Sequence, residues 1–205
     1  DFYTGGIHGG LGSVFSLMNQ YPKAIPVVLW DRHATWRFES YPDYKSNRGN
    51  TPEKIAIKES YKNQAPIIQM FLNGLGIPQV ACGEAEADDL AGVICRNIDP
   101  SWRITLATHD TDWYQVISEN IVWQSPRNKD VVIDLAYLAN PNNDLEYHFL
   151  TPQEYIEAKA LAGDTSDTIA GIEGVGLKTA VKNIRAHGVS INEFWAAVDS
   201  GSFTP

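Results

Sequence analysis

The sequence is 205 residues long and 43% hydrophobic, which suffices for one domain with a sizeable core, or one domain with a small appendage. No apolar run approaches the roughly 20 residues of a membrane-spanning helix, so we expect neither a membrane span nor a signal peptide. Cys82 and Cys95 are the only cysteines and indicate no disulfide framework, so we expect the reducing conditions of the cytoplasm. The net charge of −9 is unusual for a nucleic-acid binder, but it excludes little if the acids are concentrated at one site.

The amino-terminal part predicts a helix followed by a strand. Apolar residues recur at helical spacing, at Val14, Phe15, Leu17 and Met18, and the pattern stops at Tyr21-Pro22. The apolar run Ile25–Trp30 predicts a strand buried on both faces, and it ends at Asp31. Ligands of open α/β sheets bind beyond the carboxyl ends of strands, so Asp31 is a candidate ligand, or else a plain loop or cap residue. Such domains begin with a strand, so we expect a first strand that is lost or not included here.

A basic and aromatic segment follows Asp31. Its members are Trp36, Arg37, Tyr41, Tyr44, Lys45 and Arg48. Interleaved aromatic and basic side chains stack on bases and bind phosphates, although a solvated loop has a similar composition. Thr51-Pro52-Glu53 then predicts a helix start with an N-cap, a proline at the first position and a first-turn acid. We expect this helix to bend near Pro66 and to end by Gly74 or Gly76.

The middle of the chain places acids at the ends of apolar segments. Glu86, Asp88 and Asp89 precede a helical pattern, where carboxylates are favoured by the helix dipole and need no further role. Trp102–Ala107 predicts a second buried strand that runs into a loop with Asp110 and Asp112, two acids able to reach one cation or to form an Asx turn. The apolar segments 121–123 and 131–133 predict a hairpin.

The carboxyl-terminal part predicts a helix, a glycine turn and a second helix. Thr151-Pro152 begins the first helix, with Glu154 as a candidate capping-box residue. Asp164 and Asp167 follow this helix. The glycine turn Gly174-Val175-Gly176 allows positive φ angles and close approach of its amides to a phosphate, unless it is a plain corner between helices. The second helix carries the basic residues Lys178, Lys182 and Arg185.

Eight carboxylates therefore lie at strand ends or loop tips: Asp31, Glu86, Asp88, Asp89, Asp110, Asp112, Asp164 and Asp167. If they converge, they stay ionised only with bound cations, and setting them aside leaves −1 of the net charge of −9. Oxygen ligands favour Mg²⁺ or Mn²⁺, and no His/Cys spacing indicates zinc. Two such ions beside Lys45 and Arg48 make a site for phosphodiester hydrolysis.

The chain resembles the 5′ nuclease superfamily, which includes bacteriophage 5′–3′ exonucleases, flap endonucleases and the 5′-nuclease domain of bacterial DNA polymerase I. Five segments carry the resemblance in order: Val28–Asp31, Tyr41–Arg48, Glu86–Asp89, Thr108–Asp112, and Gly163–Asp167 followed by Gly171–Gly176. The resemblance implies an α/β fold whose mostly parallel central sheet is flanked by helices, a PIN-like core over residues 1–150. It also implies a helical arch at about residues 32–66 and a helix-hairpin-helix region over residues 151–205 that supplies ligands to the same site.

The resemblance further implies a two-metal nuclease that cuts DNA near a 5′ end or flap junction and leaves a 5′-phosphate and a 3′-hydroxyl. One ion would be held by Glu86, Asp88, Asp89 and Asp110, and the second by Asp112, Asp164 and Asp167, with Asp31 shared or bound through water. Lys45 and Arg48 match basic residues that contact the scissile phosphate, and Tyr44 matches an aromatic position that stacks on terminal bases. The implied DNA contacts also include Arg37, Gly174, Val175, Gly176, Lys178 and Lys182.

Mg²⁺ is the implied cofactor, with Mn²⁺ as a substitute and K⁺ at the helix-hairpin-helix, and the implied partner is DNA with 5′ ends, flaps or junctions. We expect a monomer in a bacterial or phage-infected cell. The family's first strand carries a further metal-binding Asp, which would lie on the strand that is lost or not included here. Two alternatives are a PIN-like ribonuclease, against which Tyr44, Lys45, Arg48 and the glycine turn count, and a DNA-junction binding module with an impaired metal site.

Overall fold

A computed structural model describes residues 4–48, 51–128, 130–143, 145, 148–187, 196 and 200. The chain packs as two compact units. The first comprises Asp1–Pro42 with Arg48–Val93, and the second comprises Asp43–Asn47 with Ile94–Pro205. The predicted domain boundary at residue 150 stays a prediction.

The first unit is built mainly from helices. They are α1 (Gly5–Gln20), α2 (Thr35–Ser40), α3 (Pro52–Gly74) and α4 (Ala87–Asn97), the last of which continues into the second unit. The predicted start of α3 is confirmed, because the Thr51 hydroxyl accepts a hydrogen bond from the Lys54 amide at 3.4 Å. Pro66 lies inside α3, and the buried side chains of this helix all lie in its second half: Gln64, Ile68 and Leu72.

The predicted strand Ile25–Trp30 is shorter than its apolar run. Strand β1 (Val28–Leu29) pairs in parallel with β2 (Gln79–Val80). Ile25 is 62% exposed and Val27 48%, so the expectation of burial on both faces is wrong for the start of the run. An apolar run in the sequence does not specify how many of its residues pair with a neighbouring strand. The buried centre of this unit instead comes from Ile68, Leu72 and Ile77.

The second unit contains a three-stranded sheet. Strand β3 (Ile104–Ala107) pairs in parallel with β4 (Ile121–Gln124), and β5 (Val132–Ile133) pairs antiparallel with β4, which confirms the predicted hairpin. The prediction that β3 starts at Trp102 is wrong, because that side chain is 53% exposed and the strand begins two residues later. A 3₁₀ helix (Thr111–Val116) follows β3, and α5 (Leu135–Ala139) follows β5.

Two helices close the described chain. Helix α6 (Pro152–Ala162) and α7 (Leu177–His187) flank the short antiparallel pair β6 (Gly163–Asp164) and β7 (Ile169–Ala170). The apolar core of the second unit includes Leu161 from α6 and Val181 and Ile184 from α7. The predicted cap is confirmed in part. The Thr151 hydroxyl accepts from the Glu154 amide at 3.1 Å, but the Glu154 carboxylate accepts from the Leu150 amide at 2.6 Å.

The strands of the described residues form three small sheets of two, three and two strands. Parallel pairing holds for β1 with β2 and for β3 with β4, whereas the single central sheet stays a prediction. Within the described ranges, every helix is too short or too polar to cross a bilayer.

Candidate metal-binding carboxylates and their basic partners

In the first unit, four candidate acids come from the end of β1 and the start of α4. Asp31 lies two residues beyond β1, and its Oδ1 accepts a hydrogen bond from the Ala87 amide at 2.7 Å. Asp89 Oδ2 accepts from the Glu86 amide at 3.0 Å, and Asp88 lies in the same first turn. The amides at a helix start have no partners inside the helix, so carboxylates are stabilised there. The structure therefore brings Asp31 to the start of α4, whereas the metal-binding role of these four acids stays a prediction.

Arg37 balances part of this negative charge. Its Nη2 lies 2.5 Å from Asp89 Oδ1 and its Nε lies 3.9 Å from Glu86 Oε2. The guanidinium also stacks over the Trp36 ring, 4.6 Å from the ring centroid. Arg37 is predicted to bind DNA, but in this structure it is an ion-pair partner of two candidate metal ligands.

In the second unit, Asp110 and Asp112 form a tight local turn. Asp110 Oδ1 accepts from the Asp112 amide at 2.9 Å at the start of the 3₁₀ helix, which is the Asx chemistry that the sequence left open. Asp112 Oδ1 in turn accepts from the Tyr155 hydroxyl at 2.9 Å. Burial raises the pKa of Tyr155, and the charge of Asp112 raises it further, so this hydroxyl stays a donor.

Lys159 joins Asp112 to Asp164, a role that was not predicted from the sequence. Its Nζ lies 3.1 Å from Asp112 Oδ1 and 2.6 Å from Asp164 Oδ2. Partial burial would raise the pKa of Asp164, but hydrogen bonds and charge from Lys159, together with Ser166, outweigh it and lower the pKa to about 2. The only signal in the sequence is a lysine in the last turn of α6, close to Asp164, which is common at helix ends.

In the Tyr41–Arg48 segment, Lys45 is partly exposed and Tyr44 is buried. The Lys45 amide donates to the Asp167 carbonyl at 2.8 Å, so the structure brings a predicted catalytic residue to a predicted metal-binding loop. The Lys45 ammonium lies 4.6 Å from the centroid of the Tyr44 ring. Tyr44 is only 7% exposed, so its ring presents little face to a base in this structure. The role of Arg48 stays a prediction.

The glycine turn before α7 has one residue that depends on glycine. Gly174 adopts φ +78°, whereas Gly176 is not in the left-handed region. Val175 is buried in the apolar core, and Lys178 and Lys182 are exposed on α7. The predicted phosphate contacts of these residues stay predictions.

The eight candidate acids divide equally between the units. Asp31, Glu86, Asp88 and Asp89 belong to the first unit, and Asp110, Asp112, Asp164 and Asp167 belong to the second. Among the residues that the structure describes, no three His, Cys, Asp or Glu side chains are arranged as a metal cage. The donors in each group are all carboxylate oxygens, the set that suits hard cations such as Mg²⁺, and Arg37 and Lys159 are the cations beside them.

Sequence comparisons relate this chain to bacterial proteins. Residues 1–141 match the family model described as the 5′-3′ exonuclease, N-terminal resolvase-like domain. DNA polymerase I of Mycobacterium bovis is 32% identical over 187 residues, which cover 90% of this chain and 20% of the polymerase. A 5′-3′ exonuclease of Aquifex aeolicus is 30% identical over 189 residues, covering 91% of this chain and 61% of that protein. The chain thus spans about a fifth of the polymerase's length.

Structure comparisons give the fold. A bacteriophage T5 5′-exonuclease with bound zinc ions matches 95% of this chain and 70% of its own, with a TM-score of 0.79 and 24% identity. A T5 flap endonuclease pseudo-enzyme–product complex with DNA and metal ions matches the same shares, with a TM-score of 0.77 and 23% identity. The chain therefore has the α/β fold of these phage proteins.

Proposed function

The chain belongs to the family of the 5′-3′ exonuclease N-terminal resolvase-like domain, and we propose that it is a structure-directed 5′ nuclease. Its substrate would be DNA with 5′ ends, flaps or junctions, and its reaction the hydrolysis of phosphodiesters. The observation that carries the proposal is the placement of four carboxylates in each unit, beyond β1 and β3 and at the ends of α4 and α6.

Two divalent ions, Mg²⁺ or Mn²⁺, would be held by these carboxylates. The first unit offers Asp31, Glu86, Asp88 and Asp89, and the second offers Asp110, Asp112, Asp164 and Asp167. Bound there, such ions supply positive charge to the phosphate and make a coordinated water more acidic. The donor set supports this cofactor, because carboxylate oxygens are the ligands that Mg²⁺ prefers.

The basic residues of the chain would hold the substrate. Lys45 and Arg48 would contact the scissile phosphate, and Lys178 and Lys182, which are exposed on α7, would contact the backbone of the duplex. The amides of Gly174–Gly176 would bind a phosphate, with K⁺ at this turn. The finer architecture is part of the same proposal: one mostly parallel sheet, an arch at about residues 32–66, a helix-hairpin-helix over residues 151–205, and a monomer.

A cleavage assay tests the proposal. A 5′-labelled flap, a blunt DNA duplex and a single-stranded RNA are each incubated with the protein, in Mg²⁺ or in EDTA. Short 5′ products from DNA in Mg²⁺ alone support the proposal. Cleavage of RNA alone would indicate a PIN-like ribonuclease, and binding without cleavage would indicate a junction-binding module.

Matched variants connect the assay to the carboxylates. Asp89→Asn and Asp164→Asn each remove one charge from the acid group of one unit, and both are expected to lower cleavage by a factor of 100 or more. Glu119→Gln removes an exposed acid outside both groups and serves as the control. An equal effect of all three substitutions on cleavage would contradict the proposed metal-binding role of Asp89 and Asp164.

A further inference from the structure

The segment that carries Lys45 is fastened to the loop that carries Asp164 and Asp167. We propose that Asn47 and Thr168 are positioning residues, and that their hydrogen bonds fix Lys45 beside this loop. The inference deepens the proposed nuclease function and rests on it for the catalytic meaning of Lys45. The contacts that carry it all lie within the second unit.

Four hydrogen bonds form this fastening, which we term the clasp. The Lys45 amide donates to the Asp167 carbonyl at 2.8 Å. The Asn47 amide donates to Thr168 Oγ1 at 3.2 Å, and the Asn47 carboxamide donates to the Thr165 carbonyl. The Ser46 hydroxyl lies 3.5 Å from Thr168 Oγ1. The Thr168 hydroxyl therefore accepts from the segment, and Thr165 and Asp167 accept through their backbone carbonyls, so residues 45–47 are joined to residues 165–168.

Backbone strain marks both sides of the clasp. Lys45 has φ 57° and Thr168 has φ 61°, and within the described residues these are the only residues other than glycine with a positive φ. For a β-branched residue such as Thr168 this conformation is especially unfavourable. Strained backbone persists only where surrounding contacts hold it, and such residues concentrate at functional sites. Both strained residues take part in the clasp, Lys45 through its amide and Thr168 through its hydroxyl.

The far side of the loop is also held. Strands β6 and β7 pair at its two ends, and a side chain at Gly163 or Gly171 would collide with the opposite backbone. The loop between them is therefore a fixed base for the clasp. A lysine side chain has four rotatable bonds, so its ammonium is placed reproducibly only if its own backbone is placed first. A misplacement of about 1 Å lowers the rate of a positioned reaction by around 100-fold.

Thr168→Val tests the role of the hydroxyl. Valine keeps the shape and the β-branching, so the backbone strain is retained while the acceptor for the Asn47 amide is lost. We expect kcat on flap DNA to fall by a factor of about 10 to 100, with KM for DNA unchanged. Thr168→Ser keeps the acceptor and is expected to restore most of the rate.

A double-mutant cycle separates positioning from general damage. Because Thr168 acts through Lys45, Thr168→Val is expected to lower kcat little further in a Lys45→Ala background. An equal loss in both backgrounds would overturn the proposal. If Thr168→Val does not fold, Asn47→Asp replaces it in the same cycle, because it removes the donor to the Thr165 carbonyl.

Amide hydrogen exchange measured by NMR tests the clasp without catalysis. The Lys45 amide is expected to be protected in the wild-type chain and to exchange at least tenfold faster in Thr168→Val, while amides in the centre of α6 stay unchanged. Unchanged exchange at Lys45 would overturn the proposal even if the wild-type chain cleaves DNA. Failure of the wild-type chain to cleave would instead overturn the proposed function, whatever the exchange shows.

Discussion

Arg185 and Glu154 form an ion pair in which both carboxylate oxygens are bound. Arg185 Nε lies 2.7 Å from Glu154 Oε1 and Nη2 lies 2.8 Å from Oε2, and the Glu154 side chain is 1% exposed. Arg185 Nη2 also donates to the His148 carbonyl at 3.1 Å. The pair therefore joins α7 to α6 and to the chain that leads into α6.

Arg185→Met is expected to lower the free energy of unfolding by about 3 kcal/mol, because it leaves the buried Glu154 carboxylate without its counter-ion. Lys182→Met is the control, since it removes an exposed cation from the same helix and should change the free energy by less than about 0.5 kcal/mol. Urea unfolding followed by circular dichroism measures both. Equal small losses would show that the ion pair contributes little to stability.

Lys159→Met is expected to strengthen Mg²⁺ binding in the second unit. Lys159 neutralises Asp112 and Asp164, so a divalent ion on these oxygens competes with its ammonium. A charged hydrogen bond contributes roughly 1.5–3 kcal/mol, so the Mg²⁺ concentration at half-maximal thermal stabilisation should fall about tenfold. Lys178→Met, at an exposed position, provides the comparison. An unchanged midpoint in Lys159→Met would count against Asp112 and Asp164 as metal ligands.

Three glycine-to-alanine substitutions are expected to change the free energy of unfolding by different amounts, according to the space and the backbone conformation at each glycine. Gly163→Ala should cost about 3 kcal/mol or more, because the residue has φ +72° and a Cβ would meet the backbone of Gly171. Gly174→Ala, with φ +78° and open space, should cost only about 1–2 kcal/mol. Gly92→Ala in α4 should raise the free energy of unfolding by about 0.5–1 kcal/mol, because alanine is more favourable than glycine inside a helix. Denaturant unfolding gives the three values, and a different order would contradict the described close approach.

The two cysteines are expected to react differently with pH. Burial raises the pKa of the half-buried Cys95 thiol to about 11, so only about 0.1% is thiolate at pH 8. Iodoacetamide should therefore label the exposed Cys82 first, and labelling of Cys95 should rise about tenfold per pH unit towards pH 11. The Cys95 thiol ionises near pH 9 in the unfolded chain and near pH 11 in the folded chain. The free energy of unfolding should therefore fall as the pH rises from about 9 to about 11.

Peptide mass spectrometry at a series of pH values measures this labelling, and Cys82→Ser isolates the second thiol. A labelling rate of Cys95 that already levels off near pH 9 would contradict its burial.

Salt titrations should distinguish Lys182 from Arg37. If Lys182 contacts a phosphate, Lys182→Met reduces the slope of log affinity against log salt by about 0.9. Arg37 is paired with Asp89 in the structure, so Arg37→Met should change the slope less. Fluorescence anisotropy with a labelled flap in EDTA measures both slopes. A full unit of change for Arg37→Met would show that its ion pair opens when DNA binds.

The parts of the structure predicted from sequence depend on neighbouring residues. Thr51 and Thr151 cap helices whose first residue is proline, and such capping needs only three or four consecutive residues. The acids at the start of α4 were predicted for the same reason, and the Asx turn at Asp110 was one of two alternatives that the sequence left open. The order of the five matching segments along the chain also sufficed for the family resemblance.

The parts that were not predicted depend on distant residues. Glu154 has the spacing of a capping box, but its partner Arg185 lies 31 residues away and redirects the carboxylate. Tyr44 reads as an exposed aromatic residue, but it is buried, and composition carries no information on that. Lys159 reads as an ordinary lysine at a helix end until Asp112 and Asp164 are placed beside it.

Helix α3 is packed against the protein only in its carboxyl-terminal half, and Pro66 lies near the start of that half. Proline has no amide hydrogen, so the Lys62 carbonyl loses its helical donor at that point. Beyond Pro66 the side chains of Ile68 and Leu72 are buried, whereas residues 52–59 and 61–63 are exposed to solvent. We therefore expect the amino-terminal half of α3 to unfold locally at a lower free-energy cost than the chain as a whole.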